Sequence, residues 1–196
     1  MNSALRPLML AGLALLPLAL AKAAPPSPAP GGPLAPADAF AMMAARGFPA
    51  LQHVGIIVGD MDKALADVRV RFGLDPSRVI VRQTVQVTDA LYQGRKVDYA
   101  FEVSLVELGN SQIEYIRPIS GPSPYADALA RAPGGSIHHL AFATPSVDRA
   151  FARVHADNPA TKVMLDAHIA GGIHYIYVDG VIPGTLVEYV ESAPPR

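Results

Sequence analysis

Four residues of this chain, His53, Glu114, His139 and Glu188, combine types and positions that could hold a divalent cation. Two imidazoles and two carboxylates make a mixed nitrogen and oxygen donor set. It suits one borderline or hard ion such as Zn, Ni, Co, Mn or Fe, and it can leave one or two positions open for water or substrate. Each Glu stands in the middle of an apolar, β-branched stretch, Gln112-Ile113-Glu114-Tyr115-Ile116 and Leu186-Val187-Glu188-Tyr189-Val190. An ionised carboxylate buried among such neighbours is costly unless a positive charge offsets it. A metal would offset both at once.

The four fall into two equivalent pairs because the chain repeats itself. Residues 52–68 (QHVGIIVGDMDKALADV) align without a gap on residues 138–154 (HHLAFATPSVDRAFARV), with identity at His53/His139, Asp62/Asp148, Ala64/Ala150, Ala66/Ala152 and Val68/Val154. Each copy reads as a short apolar strand, a capping residue and an amphipathic helix. In the first, Val54 to Val58 is the strand, Asp60 the cap, Met61, Ala64, Leu65, Val68 and Phe72 the apolar face, and Gly73 the stop. In the second, Ser146 is the cap and Val147, Ala150, Phe151 and Val154 the face.

Three β-branched-rich segments follow each helix. They are roughly Val79 to Val87, Tyr99 to Leu108 and Gln112 to Ile116 in the first half, and Lys162 to Leu165, Ile173 to Val178 and Leu186 to Val190 in the second. A Gly109-Asn110 turn joins the last two segments of the first half, and Gly180, Pro183 and Gly184 separate those of the second. The predicted class is α+β, with two tandem βαβββ modules at about 51–118 and 137–191. Strand alternation puts His53 with Gly55 and Ile57, away from the Val54, Ile56 and Val58 face that packs on the helix, and groups Glu114 with Ile116 and Glu188 with Val190.

These motifs, HVGIIV, QIEYIRP, SGPSPY, GSIHHLAF and GTLVEYVE, resemble those of the vicinal-oxygen-chelate superfamily of glyoxalases, bleomycin-resistance proteins and extradiol dioxygenases, over nearly everything from Leu51 to Glu191. They look most like its glyoxalase-like branch, which also resembles methylmalonyl-CoA epimerase. The resemblance implies a curved mixed sheet around a metal-binding cavity. It implies ligation by the first-strand His and last-strand acid of each half, here His53, Glu114, His139 and Glu188. In the epimerase the position of Glu114 is usually Gln; an acid there matches the ligand set of glyoxalase I. Extradiol dioxygenases use two His and one Glu around Fe(II), with a His this chain lacks at Glu114.

The chemistry implied is redox-neutral and next to a carbonyl: polarisation of that carbonyl, stabilisation of an enediolate or enolate, and proton transfer by Glu114 or Glu188 in an isomerase, epimerase or lyase. A non-catalytic small-molecule binder and an Fe(II) dioxygenase are the alternatives. A homodimer also fits the resemblance.

Other residues read less sharply. His174 either faces the cavity as a general acid or base or satisfies a strand-end hydrogen bond. Parity sends His138 to the face opposite His139, as a packing or supporting residue. His155 reads as a helix end and His168 as a loop, both solvated. Tyr99, Tyr115, Tyr175, Tyr177 and Tyr189 read as strand packing. Residues 120–125 read as a Pro/Gly loop entering a short helix, and Gly171-Gly172 as a turn or a mobile loop.

The N-terminus predicts export. An apolar run from Pro7 to Leu20 follows Arg6 and ends at Ala21-Lys22-Ala23, the pattern of a signal peptide over 1–23; the run is shorter than the roughly 20 apolar residues of a membrane span, and no membrane partner is expected after cleavage. A Pro/Ala-rich tether over 24–46 and a single domain over 47–196 follow, placing the mature chain in the periplasm or outside the cell. With 0 Cys, thiolate chemistry and disulfides are excluded. With 16 Lys+Arg against 17 Asp+Glu and no basic cluster, nucleic acid is not an expected partner; a small molecule is.

Overall fold

The computed structural model describes residues 51–191 apart from 74, 76–78, 109–110 and 170. The expected signal peptide, the tether and the Gly109-Asn110 turn lie outside the described residues. The elements run β1 (Leu51–Ile57), α1 (Met61–Phe72), β2 (Val79–Tyr92), β3 (Arg95–Leu108), β4 (Ser111–Ser120), α2 (Pro124–Arg131), β5 (Ser136–Ala143), α3 (Val147–Asp157), β6 (Lys162–Ile169), β7 (Ile173–Ile182) and β8 (Thr185–Glu191). No helix among the described residues is long and apolar enough to cross a membrane.

The eight strands close into a mixed barrel in the order β1-β4-β3-β2-β6-β7-β8-β5. Two pairs are parallel, β1 with β4 and β5 with β8; the others are antiparallel. The β2–β6 seam is the shortest, with only Leu91↔Asp166 and Tyr92↔Leu165 in register.

Capping and alternation explain the layers. The Asp60 and Ser146 side chains accept hydrogen bonds from the N–H of Lys63 and Arg149, satisfying orphan donors at the starts of α1 and α3. Gly73, at φ 61°, ends α1 in a left-handed conformation that favours glycine. Met61, Ala64, Leu65 and Val68 of α1 pack with Ile56, Val106, Ile113 and Tyr115 on the outside of the wall. Val147, Ala150, Phe151 and Val154 of α3 do the same against Ile176, Val178, Val187 and Tyr189. Phe72, expected on the α1 face, is 56% exposed, because the last turn runs past the wall.

The barrel interior is aromatic. Tyr99, Phe101, Tyr175 and Tyr177 point inward from β3 and β7, and Tyr125 of α2 inserts among them. Their hydroxyls pair off, Tyr99 with Tyr175 at 2.7 Å and Tyr125 with Tyr177 at 2.9 Å, so the burial leaves these polar ends satisfied. Helix α2 is the short helix expected after the Pro/Gly loop, capped by Ser123 with Pro124 at its first position.

The strands outrun their sequence signals. β2 and β3 extend to a tight turn at Gln93 and Gly94, both with positive φ. That arm is mixed polar, so hydrophobic runs alone end the strands early. His168, expected in a loop, lies within β6.

Candidate metal centre

Two rows of residues across the barrel wall build the site. In one, His53 of β1 lies beside Ala141 of β5, which lies beside Glu188 of β8. In the other, Glu114 of β4 lies beside Gly55 of β1, which lies beside His139 of β5. Each row therefore alternates ligand candidate, small residue, ligand candidate, and the small residue gives the flanking side chains room to lean together. A Cβ on Gly55 would collide with Cε1, Nδ1 and Nε2 of His139. Only glycine leaves space for that ring. Gly55 and Ala141 occupy the same place in the sequence repeat, two residues after each His, and that small-residue spacing was the signal that could have marked them in the sequence.

The tips meet at one point. His53 Nε2 is 3.1 Å from His139 Nε2, 3.0 Å from Glu188 Oε2 and 3.3 Å from Glu114 Oε2. His139 Nε2 is 3.1 Å from Glu188 Oε2 and 3.3 Å from Glu114 Oε2. A ring nitrogen carries at most one proton, yet each of these faces three partners, more than hydrogen bonding can use. Around a metal the same distances are ordinary. A tetrahedral site with bonds of about 2.0–2.1 Å places ligand atoms about 3.3 Å apart, and a right-angled pair about 2.9 Å; the separations here fall between. The four residues fit a single transition-metal ion.

The electrostatics of the cluster favour charged imidazoles beside charged carboxylates. Burial alone would keep His53 neutral, but the Glu114 carboxylate beside it and hydrogen bonds to Glu114 and Glu188 raise its pKa to about 10. His139 is also raised: burial opposes its charge, and Glu188 and Glu114 overcome that. Glu114 is carried well below the usual carboxylate range, since the charge on His53 and hydrogen bonds from His139 and His53 outweigh burial; Glu188 follows, led by His139. Metal binding would have to displace the imidazole protons.

His138 corrects the parity expectation. The register shifts between Gly55↔His139 and Ile56↔Ile137, a bulge that leaves His138 without its own partner on β1 and turns it inward beside His139. Its Nδ1 lies 2.9 Å from His139 Nδ1, and its ring contacts Tyr125 and Tyr177. Burial, then the neighbouring charge of His139, pushes its pKa down to about 3, so it stays neutral. A hydrogen bond between the two Nδ1 atoms leaves His139 Nε2 aimed at the cluster, the orientation that a supporting partner gives a metal-binding imidazole.

His174 is not brought to this cluster. Tyr175 and Tyr177 take the inward positions of β7, so His174 faces outward, where its Nε2 lies 2.9 Å from Asp166 Oδ1 and its ring stacks on His168. A cleft of about 460 Å³ approaches the barrel end from outside, lined by Tyr92, Gln93, Arg131, Ser136, His138 and Leu186 among others. His138 and Leu186 are its links to the cluster, the one as the chain neighbour that contacts the His139 ring and the other as the register partner of His139.

Comparison with known proteins agrees with this architecture. Residues 52–177 match the family described as the glyoxalase/bleomycin resistance protein/dioxygenase superfamily. The chain is 28% identical over 100 residues to the mitochondrial methylmalonyl-CoA epimerase of Homo sapiens, covering 51% of this chain and 49% of that protein. It is 28% identical over 92 residues to an ethylmalonyl-CoA/methylmalonyl-CoA epimerase of Cereibacter sphaeroides, covering 47% and 58%. The match thus spans about half the length of these curated relatives. The crystal structure of methylmalonyl-CoA epimerase from Mycobacterium tuberculosis superposes with a TM-score of 0.54 at 21% identity, over 75% of this chain and 89% of that one, a likeness of fold.

Proposed function

Because the chain belongs to the glyoxalase/bleomycin resistance protein/dioxygenase superfamily, we propose that it is a divalent-metal-dependent isomerase or epimerase acting next to a carbonyl of a small molecule. The observation that carries this is the meeting of His53, Glu114, His139 and Glu188 at one buried point. Support comes also from the two halves, 51–118 and 137–191. They follow the same element order and each supplies a first-strand His and a last-strand Glu, as tandem modules would.

When bound, the ion would supply Lewis-acid polarisation of a substrate carbonyl. The chain's own residues would do the rest. His53 and His139, held as neutral rings, fix the ion's position, with His138 orienting His139. Glu114 has the most accessible side chain of the four, at 16% exposure against 8% or less for the others. It is the carboxylate with room to take a proton from the carbon next to the carbonyl and return it, while Glu188 stays in place. The Tyr99, Tyr125, Tyr175 and Tyr177 lining keeps bulk water away from that carbon. We take the mature chain to be exported. CoA thioesters, named in the relatives' descriptions, are held inside the cell, so a carbonyl compound of the periplasm or the exterior is the proposed substrate class.

A second reading rests on the packing. With His139 wholly buried and tyrosines filling the barrel, the site is nearly closed, which favours a bound ion or ligand without turnover. One experiment separates the two. The purified protein, loaded in turn with Zn, Ni, Co, Mn and Fe(II), is incubated in deuterated water with 2-substituted carbonyl acids and thioesters, and exchange at the neighbouring carbon is followed by proton NMR. Metal-dependent exchange that disappears in Glu114→Gln supports the enzyme. Tight metal binding without exchange on any substrate supports the binder.

A further inference from the structure

A second group of metal-capable side chains stands on the outer face of the barrel, on β6 and β7, whereas the buried cluster is carried by β1, β4, β5 and β8. Asp166 and His168 are two apart on β6 and share a face, while Leu165 and Ala167 alternate into the interior. His174 of β7 is the direct register partner of His168 and points outward with it. The two imidazole rings stack with centroids 4.0 Å apart and planes 16° from parallel, and His174 Nε2 lies 2.9 Å from Asp166 Oδ1. One ligand atom from each of the three residues lies within 4.8 Å of the other two.

Three features make this arrangement more than a solvated hydrogen bond. The frame is rigid, since all three Cα positions belong to one antiparallel pair in continuous register from Leu165↔Tyr177 to Ile169↔Ile173. The donors are open to ions: His168 is exposed, and the His174 and Asp166 side chains are 20% and 40% accessible. Among the described residues the face is also left uncovered there, because α3 covers β7 from Ile176 onward. Glu191, which faces His174 from β8, is already engaged, its carboxylate accepting the Val147 N–H at 2.9 Å at the start of α3.

We propose that Asp166, His168 and His174 form a second metal site, on the surface, that takes a borderline divalent ion such as Zn²⁺ or Cu²⁺. Two imidazoles and one carboxylate are the donor types those ions prefer, and three protein ligands leave coordination positions for water. In the stacked arrangement the ring lone pairs run side by side; rotation about the soft Cβ–Cγ torsion of His168 or His174 turns them toward a common point. Asp166 is also the residue of β6 that pairs with Leu91 across the short β2–β6 seam. An ion here would tie β6 to β7 at the strand that closes the barrel.

The site is independent of the buried one, and its test keeps the two apart. The full chain is titrated with Zn²⁺ against a chromophoric chelator, alongside His168→Gln/His174→Gln, Asp166→Asn and His53→Gln/His139→Gln. Substitutions on an exposed strand face leave the fold intact, which circular dichroism checks. The expected result is one equivalent of Zn²⁺ lost in His168→Gln/His174→Gln and at least tenfold weaker binding of that equivalent in Asp166→Asn. The same equivalent persists in His53→Gln/His139→Gln, and the His168 and His174 ring protons shift on binding in NMR spectra of the wild type. An unchanged number and affinity of ions in His168→Gln/His174→Gln overturns the proposal, whatever the buried cluster does.

Discussion

Gly55→Ala tests the buried centre without touching a ligand. A Cβ at this position falls inside the space of the His139 ring, closer to three of its atoms than the 3.0 Å below which real Cβ atoms essentially never come. The backbone of β1 is held on both sides, by β4 and by β5, so the ring is what must move. It has to shift by about 1 Å, several times the ±0.2 Å tolerance of a metal–ligand bond. His139 is wholly buried and touches Tyr177 and His138, so no vacant direction receives it. The expected outcome is a destabilisation of about 1–3 kcal/mol from overpacking. Metal affinity falls by more than the roughly 10–100-fold typical of losing a supporting contact to a ligand. The assay is competition with a chelator, together with a thermal melt in chelator to measure the packing term separately. Gly59→Ala is the control, since its Cβ meets nothing nearer than 3.6 Å. Wild-type metal affinity in Gly55→Ala would refute the placement of His139 at the ion.

Three further outcomes follow from the same geometry. Glu188→Gln keeps the shape but removes one charge that holds His53 and His139, and metal content after dialysis against a mild chelator should drop below a tenth of wild type, read by elemental analysis. The metal-free protein should lose stability with alkali: His53, raised to about 10 from 6.5, contributes fully below pH 6.5 and loses its contribution as pH rises through about 10. Glu114 and Glu188, both lowered, contribute above about pH 4.5 and lose that as pH falls toward their folded values. His138, lowered to about 3, contributes above about pH 6.5 and loses that as pH falls. Chelated melts from pH 4 to 10 should therefore peak at about pH 6, while metal affinity rises with pH as the imidazole protons leave; a His53→Gln protein whose alkaline loss equals that of wild type would contradict this. Asp60→Ala removes the acceptor for the Lys63 N–H at 2.9 Å and should cost about 1 kcal/mol, or roughly 3–5 °C in Tm, with metal content unchanged.

The sequence by itself determined whatever depends on neighbours along the chain. Alternation fixed which face of β1, β4 and β8 carries His53, Glu114 and Glu188, because side-chain direction in a strand repeats every two residues. Asp60, Gly73 and Ser146 marked helix ends because caps act within one turn. The repeat of His and Glu in equivalent strands then gave a donor set before any contact was known. Tertiary structure decided what depends on pairing between distant strands. The bulge that turns His138 inward comes from β5 matching β1, and no local pattern announces it. His174 looked equally able to face either side until the inward Tyr175 and Tyr177 fixed its direction. The polar arm of β2 and β3 became strand because its backbone groups find partners across the hairpin, whatever its side chains prefer. The need for glycine at position 55 exists only because β5 lays His139 over it. Local sequence sets the period and the caps; register between strands sets which side chains meet, and that is a non-local property of the closed sheet.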